Sequence, residues 1–189
     1  MKELRIISGT FKSRKLLLRN TIKGLRPTCD RVRETVFNWL MLDIVNAFCL
    51  DAFSGSGILS FEAISRGARH CLCIEKNKIA AREIENNRNH LGINNIEIVR
   101  TDALIYLKNC FDYDIIFIDP PFSKDLIKDT LKIIYGNSNI GMNSLIYIEA
   151  PRFLNLKSIM EKKFMILKQS IYGNILLAIL VKINRDIKK

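Results

Sequence analysis

Five short apolar runs, each followed by a stretch of helical periodicity, constrain this chain more than any other feature. Phe48–Phe53, Cys71–Glu75, Ile96–Arg100, Tyr113–Asp119 and Leu145–Glu149 read as buried strands. Ile58–Arg66, Lys78–Leu91, Ala103–Asn109, Leu126–Tyr135 and Leu156–Lys163 read as the helices between and after them. Strand then helix at this spacing predicts an α/β fold, a mostly parallel sheet with helices on both faces. The end breaks the rhythm. Phe164–Tyr172 and Ile175–Ile183 are both strand-like and only Gly173-Asn174 separates them, so a hairpin closes the sheet and its last strand runs antiparallel.

The chain has 189 residues, enough for one core of ordinary size. Its longest apolar run, Ile175 to Val181, is far shorter than the roughly 20 residues a membrane helix needs. The start, Met-Lys-Glu-Leu-Arg, has no signal-peptide pattern. Five cysteines without a C-x-x-C and two histidines outside zinc spacing predict reduced, structural thiols and no metal.

Charge is unevenly spread. The formal net charge is +11, and residues 1–40 hold ten basic and three acidic side chains, a net +7. Residues 1–28 read as a polar, aperiodic basic arm with a short hairpin. A helix follows from Asp30, with Val32, Val36, Phe37, Leu40 and Met41 on its buried face. Such a basic end suits a polyanion, although a solvated, repulsive surface would carry the same charge.

In open α/β sheets ligands bind beyond the carboxyl ends of the strands. Four such ends carry polar groups here. Asp51-Ala-Phe-Ser-Gly-Ser-Gly57 is a glycine turn in which Ser60 replaces the third glycine of a dinucleotide fingerprint. Glu75, at the next end, can accept from two ribose hydroxyls. Asp102 can cap a helix or meet an adenine amine. Asp119-Pro120-Pro121-Phe122 sets a carboxylate and a carbonyl beside residues that donate no N–H, an acceptor-rich place for a planar amine, with Phe122 as a stacking face.

Asp51-x-Phe-x-Gly-x-Gly57, Glu75, Asp102 and Asp119-Pro-Pro-Phe122 resemble, in order and spacing, the class I S-adenosylmethionine-dependent methyltransferases, and the last motif resembles the branch that methylates exocyclic amines. Arg5-Ile-Ile-Ser-Gly9, the block from Arg26 to Leu40 and Ile146-Tyr-Ile-Glu149 closely resemble the RsmD family, bacterial guanine-N2 methyltransferases of 16S ribosomal RNA. The likeness spans nearly the whole chain.

That resemblance implies a Rossmann-like, seven-stranded sheet, with 47–189 as the methyltransferase domain and 1–46 as an arm and leading helix of the same unit. It implies S-adenosylmethionine held by Asp51, Phe53, Ser54, Gly55, Gly57, Glu75, Asp102 and Ala103. Asp119, Pro120 and Phe122 would act on the target amine. Lys12, Arg14, Lys15, Arg26, Arg31 and Arg33 would meet RNA phosphates, unless Arg31 and Arg33 close over the cofactor as a lid. A metal-free, cytoplasmic monomer acting on 16S ribosomal RNA within a small-subunit particle is expected. The rivals are a nicotinamide dehydrogenase built on the Gly55/Gly57 turn, a methyltransferase of another RNA or DNA amine, and a non-catalytic assembly factor.

Overall fold

The computed structural model describes residues 4–18, 29–121, 124–160 and 162–183. A small antiparallel pair, β1 (Leu4–Arg5) and β2 (Lys15–Leu16), precedes α1 (Asp30–Trp39). The alternating series follows: β3 (Phe48–Asp51), α2 (Ile58–Ser65), β4 (His70–Ile74), α3 (Lys78–Leu91), β5 (Ile96–Val99), α4 (Ala103–Asn109), β6 (Ile115–Ile118), α5 (Lys124–Gly136), β7 (Leu145–Pro151) and α6 (Leu156–Met160). The chain closes on β8 (Phe164–Tyr172) and β9 (Ile175–Lys182).

Among the described residues the main sheet has seven strands in the order β5-β4-β3-β6-β7-β9-β8. Strands β3 to β7 pair in parallel, and β9 runs antiparallel to both neighbours. The reversed strand and the hairpin are therefore as expected. Gly173, at φ 57, supplies the left-handed residue the two-residue turn requires.

The inner strands β3, β4, β6, β7 and β9 are mostly apolar because both faces are covered, whereas β8, at the sheet edge, is largely exposed. Cys49, Cys71, Cys73, Ile115, Phe117, Tyr147, Leu177 and Ile179 meet side chains of α1, α2 and α3. Leu50, Leu72, Ile74, Ile116, Ile118, Ile146, Ile148 and Ala178 meet α4, α5 and α6. Asp51 and Glu149 inside strands, and Glu75 and Asp119 one residue past them, continue the parity of the first set. Four carboxylates thus line one side of the carboxyl edge.

The arm is more than a polar extension. Leu4, Ile6 and Leu16 are buried in the same core as Val32, Val36 and Phe37. Its turn docks on the end of α2, where Thr10 N–H donates to Ser65 O at 2.8 Å. Gly9, at φ 82, lies so close that a Cβ there would sit 1.7 Å from Ser65 O. Met41, expected on the buried face, is 62% exposed because α1 ends before it.

Candidate active site

The glycine turn is held by its own backbone and by both neighbouring strands. Ala52 N–H donates to Phe117 O, Ser54 N–H to Ile74 O and Gly57 N–H to Ser54 O. The Ser54 hydroxyl donates to Asp51 O at 2.8 Å. Gly55 and Gly57 take φ 53 and φ 75. A Cβ on Gly57 would come within 3.1 Å of Ile84 and Phe61, so backbone packs here where a side chain would not fit.

Asp51 lies beneath this turn and is 1% exposed. Its Oδ2 accepts from the Ser60 hydroxyl at 2.7 Å, which explains serine at the place of a third glycine. Its Oδ1 is buried without a partner. Burial raises the Asp51 pKa from 3.8 to about 7; Ser60 opposes the rise, and Asp119 and Glu75 add to it. An orphaned acceptor of this kind awaits a donor, best a cation. Phe53, half-buried, packs against the opposite core.

Glu75 braces the turn from β4. Its Oε2 accepts from Gly55 N–H at 2.8 Å and its Oε1 from Asn77 N–H at 2.7 Å. A carboxylate has about four acceptor sites, so capacity remains on both oxygens. Asp102 caps α4: Oδ1 accepts from Leu104 N–H at 2.8 Å, while Oδ2 lies 3.9 Å from Lys76 Nζ on a side chain 40% exposed. Capping occupies one oxygen and leaves the other in reach of a ligand. Ala103, the first residue of α4, is buried.

Asp119 is half-exposed at the tip of β6, followed by buried Pro120 and exposed Pro121. Phe122 lies outside the described residues. Sequence reasoning left Glu149 out of the site. The register Ile118↔Ile148 sets it beside Asp119 on the next strand, and it is 4% exposed. Tyr147 O–H donates to Glu149 Oε2 at 3.3 Å, and burial first, then the Glu149 and Asp119 charges, holds that phenol protonated. The spacing Tyr-x-Glu at a strand end is the signal that was available.

The basic candidates separate into distinct groups. Arg33, expected to meet an RNA phosphate, does not: its side chain is 0% exposed. Its guanidinium pairs with Asp30 at 2.7 Å and with Glu62, itself 0% exposed, at 3.2 Å. Glu62 also accepts from Arg66 Nε and from Ile7 and Ser8 N–H, locking arm, α1 and α2 together. Arg31 is exposed, 5.9 Å from the centre of the Tyr172 ring. Lys12, Arg14 and Lys15 are exposed, on a hairpin whose turn sits at the end of α2 remote from the glycines. Arg26 lies outside the described residues.

A cavity of about 360 Å³ opens at the other edge of the sheet, by Ala47, Ile115 and Leu145. Two of its carboxylates build turns: Asp112 accepts from Gly141 N–H and Ser144, and Asp114 from Phe48 N–H. No group of three or more candidate metal ligands occurs among the described residues.

Residues 4–181 match the family model described as conserved hypothetical protein 95. A ribosomal RNA small subunit methyltransferase D from Buchnera aphidicola is 42% identical over 172 residues, 90% of this chain and 88% of its own length. The chain belongs to the ribosomal RNA small subunit methyltransferase D family. The family's Escherichia coli member is 40% identical over 78% of this chain and 75% of its own. The solved structure of yhhF from Escherichia coli superposes with a TM-score of 0.86 at 31% identity, covering 96% of this chain and 98% of that one. The fold is that of the class I methyltransferases, which removes the dehydrogenase reading.

Proposed function

We propose that this chain transfers a methyl group from S-adenosylmethionine to the exocyclic N2 amine of a guanine in small-subunit ribosomal RNA. The observation that carries the reading is the acceptor pair at the tip of β6, the Asp119 carboxylate and the Pro120 carbonyl. It stands next to a β3–β4–β5 edge whose own acceptors suit a cationic nucleoside. The orphaned Asp51 Oδ1 fits the ammonium of the methionine moiety. Glu75 has acceptor capacity for two ribose hydroxyls, Asp102 has one for the adenine amine, and the turn from Ser54 to Gly57 allows close approach beside Phe53 and Ala103. When bound, the cofactor supplies an electrophilic methyl on a sulfonium.

The rest falls to the chain's own residues. Guanine N2 is a poor nucleophile because its lone pair is conjugated into the ring. Asp119 and Pro120 O accept hydrogen bonds from its two N–H groups, aim the nitrogen and favour the pyramidal form as charge develops; the ammonium-like nitrogen, once methylated, is strongly acidic and loses one of those protons. Orientation within the cleft supplies much of the remaining rate. The target base leaves its stack and rests on Phe122. Arg26, Arg31, Lys12, Arg14 and Lys15 contact phosphates of the small-subunit particle, where the protein works as a cytoplasmic monomer.

Asp119→Ala tests the assignment with labelled cofactor and small-subunit RNA. Turnover falls about 10²–10³-fold, the typical cost of one transition-state hydrogen bond. Affinity for S-adenosylhomocysteine, read by calorimetry, is unchanged. Wild-type turnover in the variant removes the role of Asp119. No transfer by the unaltered protein removes the function.

A further inference from the structure

We propose that the turn after β7, Arg152-Phe153, binds a nucleotide flanking the target guanine, with the Phe153 ring as the platform for its base and Arg152 for its phosphate. The inference rests on the ribosomal RNA reading above and assigns part of its RNA path. Phe153 is 82% exposed, yet its surroundings are fixed. Pro151 before it and Leu154 after it are buried, and Leu154 N–H donates to Pro151 O at 2.9 Å. Arg152 N–H donates to Asn174 O at 2.8 Å, pinning the turn to the β8–β9 hairpin. The chain therefore holds an aromatic ring in water on a braced turn.

Its place gives the ring a partner. Single exposed hydrophobics are ordinary, and Phe111, 78% exposed, is one of them. Phe111, however, lies before β6 at the opposite edge and is followed by Asp112, the wrong charge for a phosphate. Phe153 lies past the carboxyl end of β7, four residues beyond Glu149, which stands in register with Asp119. Its predecessor is an exposed arginine. Two residues before Asn174, Tyr172 ends β8 with Arg31 5.9 Å from its ring centre and the Thr35 hydroxyl 2.8 Å from its own. The exposed Arg152-Phe153 neighbours and the Arg31–Tyr172 contact thus follow one another along the β7–β9–β8 edge, while the groups suited to an adenosine occupy β3–β4–β5. Aromatic faces interleaved with arginines match a single strand, whose bases stack without regard to identity and whose backbone follows the cations.

Filter binding and methyl transfer test this, using small-subunit RNA and small-subunit particles from cells lacking the methyltransferase. Phe153→Ala weakens binding to both about 5- to 150-fold, and Phe153→Trp restores it. Arg152→Ala flattens the log–log salt dependence on RNA by about 0.7. Affinity for S-adenosylhomocysteine and the melting temperature stay at wild-type values in all three. Wild-type RNA affinity in Phe153→Ala overturns the platform. Weaker binding to particles with unchanged binding to RNA also overturns it, in favour of a protein contact. If the unaltered protein methylates neither substrate, the ribosomal RNA reading fails and takes this inference with it.

Discussion

Arg33→Ala should unfold the protein more easily and leave its RNA contacts alone. The guanidinium is withdrawn from water, with Nη2 2.7 Å from Asp30 and Nη1 3.2 Å from Glu62. Removing one partner of a buried pair costs about 3–5 kcal/mol, because the other charge is left behind. Glu62 keeps Arg66 at 2.8 Å and two backbone N–H groups, so the loss falls at the lower end, about 3 kcal/mol. At about 2–4 °C per kcal/mol for a domain of this size, the melting temperature drops by about 6–12 °C. Arg31→Ala is the companion variant. It removes an exposed cation over Tyr172, about 0.5–1 kcal/mol, and flattens the RNA salt slope by about 0.7. Calorimetry and filter binding across a salt series read both effects. An Arg33→Ala protein that melts within about 2 °C of wild type, or that alone flattens the slope, would refute the reasoning.

Asp51 makes ligand-free stability depend on pH. Its folded pKa is raised, so as pH climbs from 3.8 to about 7 the unfolded chain releases a proton that the folded chain retains, and stability is lost across that window. The ceiling is about 4 kcal/mol. Urea midpoints at pH 5 and pH 8 should differ less in Asp51→Asn than in wild type, and equal differences would contradict the assignment. Gly9→Ala forces a Cβ onto the Ser65 carbonyl and should detach the arm from α2. Hydrogen exchange at Thr10 N–H, which donates to that carbonyl, should accelerate; unchanged protection would count against the contact.

What the sequence disclosed and what it hid follow from the range of the forces involved. Helix α3 has the bounds the pattern predicts, because Asn77 caps it and left-handed Gly92 ends it, both local signals. Strand β3 stops at Asp51, two residues early, because the glycine turn starts at once. Helix α6 ends at Met160, short of the expected Lys163, and Lys162 takes φ 63. The arm's burial was signalled by apolar Leu4 and Ile6 either side of Arg5 and by the run Leu16-Leu17-Leu18. Glu62 gathers donors from residues 7, 8, 33 and 66, and no spacing rule spans that distance. A lone acid in the uncharged remainder of Ile58–Ser65, a helix buried throughout, was its one trace. Arg33 lies four residues before Phe37 and so on the inward side of α1, a position that outweighs the charge count that assigned it to RNA.

The sheet order also dictates when this sheet can be closed. Strand β9 follows every other described strand in the sequence, yet it lies between β7 and β8. Until residues 175–182 are available, β7 has an open edge and β8 has nothing to pair with, its apolar Phe164 and Ile166 included. The parallel strands β3 to β7 can assemble as they emerge during synthesis, but closure waits for the final turn of hairpin. Loss of the last eight-residue strand would therefore strip two strands from the sheet, and the lost pair borders the edge that carries Arg152 and Phe153.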